Sequence, residues 1–215
     1  MATNDKRQKV WFTADTHFRH KNVLKYCSGR AEAGGYATDD IGAHDNWLID
    51  KWNSTIGKQD TVYIIGDVSF ANQEDSRKII ERLNGRKHLI VGSRDASAQK
   101  LNNYFKLITQ MEMKVFKAST YDFLEEDFNV FMCHYPMVTW PSKHYGCVNV
   151  HGHCHGNLDD YNDTSTDLRV DVGLDGRLAE YGFVSLEKLY AFFKKKTEGL
   201  PLSEYALAKK TEMII

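Results

Sequence analysis

Up to Asp95 the chain repeats one rhythm three times: a β-rich apolar run, a polar turn, then a segment of helical pattern. The runs are Lys9 to Ala14, ended by Asp15-Thr16-His17; Thr61 to Ile65, ended by Gly66-Asp67; and Lys87 to Val91, ended by Gly92-Ser93-Arg94-Asp95. Short apolar runs spaced by helix-length segments imply parallel strands joined by crossover helices. Ligands of such sheets bind beyond the carboxyl ends of the strands, and all three polar turns stand there. Between them, Lys21 to Ser28 reads as a short helix and Gly29 to Asp40, with two adjacent glycines, as a loop. Ile41 to Trp52 sets Ile41, Trp47, Leu48, Ile49 and Trp52 at roughly helical spacing, and Gln73 to Leu83 is helical with Asn84-Gly85 as its stop.

The second half changes character. Leu107 to Phe116 and Phe128 to Cys133 read as strands around an acidic loop, Asp122 to Asp127, whose residues Glu125 to Asp127 are expected at a solvated hairpin tip. Cys147 to Val150 and Leu168 to Val172 follow as further short strands. This succession predicts a second, more antiparallel sheet. The expected fold class is therefore α/β, two stacked β-sheets flanked by helices, in one domain over 1–215. Ser185 to Lys194 reads as a closing helix with Ser185 as its cap and Glu187 in its first turn. From Lys195 the chain is polar with an apolar end, so 197–215 either packs as a final helix or frays.

The 215 residues suffice for one full core. With 28 cationic and 29 anionic side chains, no broad attraction to nucleic acid or acidic membrane follows; a nucleic-acid substrate would need a local patch. Cys27, Cys133, Cys147 and Cys154 are scattered without a C-x-x-C hook, and Met1 to Lys9 carries no signal-peptide pattern, so a cytoplasmic location is expected. No apolar run approaches membrane-spanning length. Oligomeric state is left open.

The densest chemistry lies in Val150-His151-Gly152-His153-Cys154-His155-Gly156. Alternate residues of a turn after a strand can aim His153 and His155 at one point, and imidazole is a common ligand of borderline metals. The other strand ends add Asp15, His17, Asp67, Ser93-Arg94-Asp95 and His134. Singly, each has a duller explanation: an Asp after a strand ordinarily caps a helix, and His134 before Tyr135-Pro136 suits a loop. Collected, they exceed what one tetrahedral ion needs. Mixed oxygen and nitrogen donors without thiolate favour Mn, Fe, Ni, Co or Zn over Mg or Ca, and two ions bridged by a carboxylate account for the number. His151 suits the core or a supporting position, and His20 suits a solvated surface. Asp171 and Asp175 suit turn capping or support of the site.

Taken in order, Asp15-x-His17, Gly66-Asp67, Gly92-x-x-Asp95, His134 and Gly152-His153-x-His155 resemble the calcineurin-like metallophosphoesterase superfamily. Within it, Asp15-Thr16-His17-Phe18, Trp52-Asn53, Leu83-Asn84-Gly85 and His151-Gly152-His153-x-His155-Gly156 are similar to small bacterial and phage phosphoesterases. The resemblance runs from about Val10 to Ser185. It implies an enzyme, a metal-dependent phosphoesterase acting on phosphodiesters or nucleotides. Asp15, His17, Asp67 and His155 would hold one metal, and His134 and His153 a second, with Asp67 bridging. Activated water would attack phosphorus in line.

The pattern departs at the third turn, where the family usually has Gly-Asn-His and this chain has Gly92-Ser93-Arg94. Ser93 offers a short neutral hydroxyl as a metal ligand, so a weaker second site is expected. An arginine such as Arg94 is no proton donor near neutrality, yet it can clamp a phosphate oxygen. Three readings stay open: hydrolysis without that acid, a nucleotide- or partner-binding module without turnover, or changes introduced at Ser93 and Arg94 to trap a ligand. Tyr135 and Trp140, in the loop after His134, are candidates to wall the pocket and stack on a nucleobase, against the plainer alternative that they pack.

Overall fold

The computed structural model describes residues 8–212; the expectations that reach Met1 or Ile215 lie in part outside them. In chain order the elements are β1 (Val10–Thr13), α1 (Val23–Tyr26), α2 (Gly29–Gly34), α3 (Ile41–Thr55), β2 (Thr61–Ile65), α4 (Gln73–Arg82) and β3 (Arg86–Ile90). Then come β4 (Leu107–Thr109), β5 (Met111–Phe116), β6 (Phe128–Cys133), β7 (Val148–His151), α5 (Asp159–Thr164), β8 (Arg169–Asp171), β9 (Val184–Ser185), α6 (Leu186–Lys196) and α7 (Leu202–Glu212). The architecture is α/β, with two mixed sheets flanked by helices. One has strand order β4-β3-β2-β1-β9, the other β5-β6-β7-β8.

Alternation explains the layering. On β2, Val62 and Ile64 pack with Leu48, Ile49 and Trp52 of α3 and Ile79 and Ile80 of α4. Tyr63 and Ile65 face the other way, onto Phe128, Val130 and Met132 of β6 and Val148 and Val150 of β7. A strand covered on both faces needs apolar residues at every position, which is why these runs are nearly unbroken. Each such side chain, fully buried, contributes about 1.5–3 kcal/mol. Local signals fix the helix starts: Asp40 accepts from the Ala43 amide, Asn72 from that of Asp75, and Ser185 from that of Lys188. Trp52 and Asn53 clasp α3 to the turn after α4. The indole donates to the Asn84 carbonyl at 3.0 Å, and the Asn53 side chain accepts from the Asn84 amide at 2.9 Å.

Several expectations are corrected. Leu107 to Phe116 is two strands: β4 pairs parallel with β3, and after Gln110 β5 pairs antiparallel with β6 in the other sheet. Both halves are β-rich, so periodicity does not reveal the change of sheet. The second sheet is mostly parallel, since β6-β7 and β7-β8 both run that way; their connections are long enough to cross over, and the second carries α5. Gly29–Gly34 is helix α2, stopped by Gly35 in the left-handed region at φ 68°, so the glycine pair ends a helix where a loop was expected. Glu125 to Asp127 does lie in the connection of the antiparallel pair β5-β6 with Glu125 and Asp127 exposed, and it is tethered as well: Glu126 accepts from the Leu202 amide at the start of α7, and Asp127 pairs with Lys117. Among the described residues no helix is long and apolar enough to cross a membrane.

Candidate metal centre

The turns after β1 and β2 are zipped together, the Asp15 amide donating to the Gly66 carbonyl and the His17 amide to that of Asp67. Gly152 in turn donates to the His134 carbonyl at 3.1 Å. This close packing demands glycine at Gly66, whose φ is 83°; a Cβ there would fall 2.4 Å from His134 Nδ1 and 2.6 Å from Gly92 Cα. More telling, Asp15, His17, Asp67, His153 and His155 all have positive φ, between 49° and 70°. Left-handed backbone costs a non-glycine residue about 1–3 kcal/mol and gathers where function requires it.

Six side chains from four turns converge. His17 Nε2 lies 3.2 Å from His155 Nε2, 3.9 Å from Asp15 Oδ1 and 3.8 Å from Asp67 Oδ2. His155 Nε2 is 4.0 Å from Asp15 Oδ1. On the other side of Asp67, its Oδ1 is 3.5 Å from His134 Nε2. The donors thus form two triads, Asp15-His17-His155 and Asp67-His134-His153, and the two oxygens of Asp67 face one each.

The residues fit a pair of divalent cations. Asp15 Oδ1 and His134 Nε2 are buried and have no hydrogen-bond partner, a condition that costs about 1–3 kcal/mol per group unless something satisfies it. His134 Nδ1 meets the Ile65 carbonyl at 2.9 Å, which leaves Nε2 free as a ligand atom. Burial, then the charges of Asp171 and Asp67, raise the Asp15 pKa well above the usual carboxylate range. Burial, then Arg30, His155 and His20, push His17 down to about 2. Crowded carboxylates that resist ionising and imidazoles that resist protonation are the electrostatics of a site built for added positive charge.

A hydrogen-bonded frame holds the ligands. Asp175 Oδ2 lies 2.6 Å from His155 Nδ1, and Arg30, fully buried, donates through Nε to Asp175 Oδ1 at 2.8 Å and through Nη2 to the Asp15 carbonyl at 2.8 Å. Burial opposes ionisation of Asp175, but the hydrogen bonds from Arg30 and His155 win and lower its pKa. Cys27 Sγ also approaches His155 Nδ1, at 3.3 Å. With Asp175 committed to Arg30 and the thiol pushed up to about 12 by burial and by Asp175, that side of the ring is a support and not a third ion site. Asp95 accepts from the amides of Asp67, Val68 and Gly92, and Asp171 from those of Gly156 and Gly173. His151 is buried, its ring contacting the Gly152 carbonyl and Asn162.

The remaining expected site residues divide. Ser93 Oγ donates to Asp67 at 3.0 and 3.2 Å, and the Arg94 amide donates to Asp67 Oδ1 at 2.8 Å. The Arg94 guanidinium lies 5.5 Å over the Phe70 ring, and His20 stacks parallel to that ring at 3.7 Å; His20 thus lies against the site, where a solvated surface was expected. Tyr135 is 45% exposed with its ring edge-on to His153 at 4.8 Å, so it rims the site. Trp140 is a correction. It is buried with Phe131, Cys133 and Cys147 and donates to the Cys147 carbonyl, which leaves no ring face for a base. Arg30, Cys27 and Phe70 carry no signal in a single sequence that separates them from ordinary surface or core residues.

No family model matches the chain. It is 29% identical over 212 residues to the Gene 66 protein of Mycobacterium phage D29, covering 89% of this chain and 98% of that one. The Gene 66 protein of Mycobacterium phage L5 is 28% identical over 170 residues, 69% of this chain and 78% of its own. The uncharacterized protein MJ1445 of Methanocaldococcus jannaschii is 25% identical over 191 residues, 87% and 93% of the two chains. Among solved structures, the protein of unknown function AQ665 from Aquifex aeolicus superposes with a TM-score of 0.60 over 86% of this chain and 100% of that one, at 20% identity. That likeness is one of fold.

Proposed function

We propose that the chain is a metal-dependent phosphoesterase of the calcineurin-like metallophosphoesterase architecture, acting on phosphodiesters or nucleotides. One observation carries this reading: Asp67 turns one oxygen toward each donor cluster, its Oδ2 3.8 Å from His17 and its Oδ1 3.5 Å from His134, as a bridging carboxylate would. The chemistry that two divalent ions of the Mn, Fe, Ni, Co or Zn type supply in such a cradle is acidification of water and neutralisation of phosphate charge.

The chain's own side chains do the rest. Asp15, His17, Asp67 and His155 would hold one ion; His134 and His153, with Asp67 and Ser93, the other. Arg30 and Asp175 fix the tautomer and direction of His155. Arg94, exposed at the rim, clamps a phosphate oxygen as an ion-pairing donor. A guanidinium is no general acid near neutrality, so the leaving group departs unassisted or takes a proton from water. That favours activated or cyclic diesters. The location proposed for such an enzyme is cytoplasmic.

Hydrolysis of bis-p-nitrophenyl phosphate with Mn²⁺ or Ni²⁺ tests the reading, against EDTA and against Asp67→Asn. Turnover that needs metal and falls with Asp67→Asn supports it. A second reading has its own observation, the replacement of the usual Asn-His by Ser93-Arg94. Nucleotide binding with no metal-dependent turnover would favour that reading, a binding module that keeps the fold.

A further inference from the structure

A second cleft opens at the other end of the sheets, where β1, β2 and β3 begin and β5 ends. Five-residue strands put it about 16 Å from the metal centre. It encloses about 630 Å³ and is lined by Arg86, His88, Lys106, Lys114, Lys117 and Tyr121, with Tyr63 among the other walls. For a chain of net charge −1, four cations around one cavity is a marked local excess. Among the described residues no carboxylate lines it. Glu112, two residues before Lys114, is the acid whose charge reaches its Tyr63 wall, and Asp127 neutralises Lys117 from outside at 2.7 Å. Lys106 and Lys114 enter no ion pair among the described residues.

The interior of the cleft is aromatic and partly unsatisfied. The Tyr63 and His88 rings are 4.9 Å apart, and Phe116 sits edge-on to both Tyr63 and Tyr121. His88 Nδ1 is buried without a partner. Burial, then Lys114 and Lys106, lowers the His88 pKa, so both cations act on this ring, with Glu112 offsetting Lys114 in part. The volume lies within the roughly 300–1,000 Å³ of small-molecule sites, enough for a chain of two or three phosphates.

We propose that this cleft binds a nucleotide-sized polyphosphate, at a site separate from the metal centre. Lys106 and Lys114 would supply the free charge, Arg86 the forked donor, and Tyr121 an aromatic face for a base where one is attached. The proposal does not depend on turnover at the metal centre.

The test is calorimetric titration of the full chain in EDTA with inorganic tripolyphosphate, ATP and adenosine at low and high salt. The wild-type chain and Asp67→Asn should bind tripolyphosphate alike, more weakly as salt rises. Lys106→Glu combined with Lys114→Glu should weaken binding about tenfold or more, which is about 1.4 kcal/mol. Should that pair not fold, Lys106→Gln with Lys114→Gln carries the same prediction at smaller size. ATP binding tighter than tripolyphosphate identifies a nucleotide as the ligand; equal affinities identify the phosphate chain alone. Absence of millimolar binding overturns the proposal. So does binding lost in Asp67→Asn and kept in the lysine variants, or adenosine binding as tightly as ATP.

Discussion

Ser93 Oγ lies 3.0 Å from Oδ2 and 3.2 Å from Oδ1 of Asp67, so the residue that differs from the phosphoesterase pattern the sequence resembles touches the carboxylate proposed to bridge two ions. A hydroxyl there donates to Asp67, whereas an asparagine amide oxygen would reach past it as a ligand. Ser93→Asn with Arg94→His should therefore accelerate hydrolysis where the leaving group needs a proton. For a diester with an aliphatic or nucleoside leaving group the expected gain is about 10²–10⁴-fold. For bis-p-nitrophenyl phosphate, whose leaving group departs as a stable anion, it should be far smaller. Equal gains on both would argue against a missing acid.

Arg30 is fully buried and binds Asp175, which orients His155. Removing its charge leaves Asp175 buried beside His155 and the Cys27 thiol alone. Arg30→Met is expected to cost about 3–5 kcal/mol in denaturant unfolding. Asp175→Asn, which retains shape, should lower metal affinity about 10–100-fold in calorimetric titration. Unchanged metal affinity in Asp175→Asn would remove Asp175 from the account of the site.

Gly66→Ala asks the backbone to hold an alanine at φ 83° with its Cβ 2.4 Å from His134 Nδ1. The clash is with groups on two packed turns, those of His134 and Gly92, so relief requires moving His134. Loss of metal binding together with a lower unfolding midpoint is expected; a variant that binds metal like the wild type would show that the turns are not tightly coupled.

Burial, with Lys114 and Lys106, depresses the His88 pKa. The unfolded chain, with a histidine pKa near 6.5, then takes up the proton first. Stability linked to His88 is complete above that value and declines as pH falls from about 6.5 toward the lower folded value. His17 and His151, pushed down to about 2 and about 4, act with the same sign. His88→Gln should flatten part of the acid-side decline in urea midpoints between pH 7 and 5, and should leave the midpoint above pH 7 unaffected by pH in the same way as wild type. A steeper decline in the variant would contradict the assignment.

The inner strands β1, β2 and β3 of the first sheet were legible because they are covered on both faces, so Thr61–Ile65 reads as a nearly unbroken apolar run, whereas the two-residue β9 was not read as a strand. The six proposed ligands were legible because histidine and aspartate at strand ends stand out from that background. What supports them was not. Arg30 looks like any surface arginine until α2 turns it inward, and the glycines that suggested a loop hid α2 itself. The switch from β4 to β5 at Gln110 changes sheets without changing pattern. Trp140 was readable only as aromatic beside a histidine; its burial against Cys147 depends on a tertiary contact.

The central claim is a pair of ions held between Asp15, His17, Asp67, His134, His153 and His155. Crystals of Mn²⁺-supplemented protein, measured across the Mn absorption edge, test it most directly. The account predicts two anomalous peaks roughly 3.5–4 Å apart, one on each side of Asp67, with the weaker beside Ser93. Density without either peak, or one ion lying outside both triads, would contradict it.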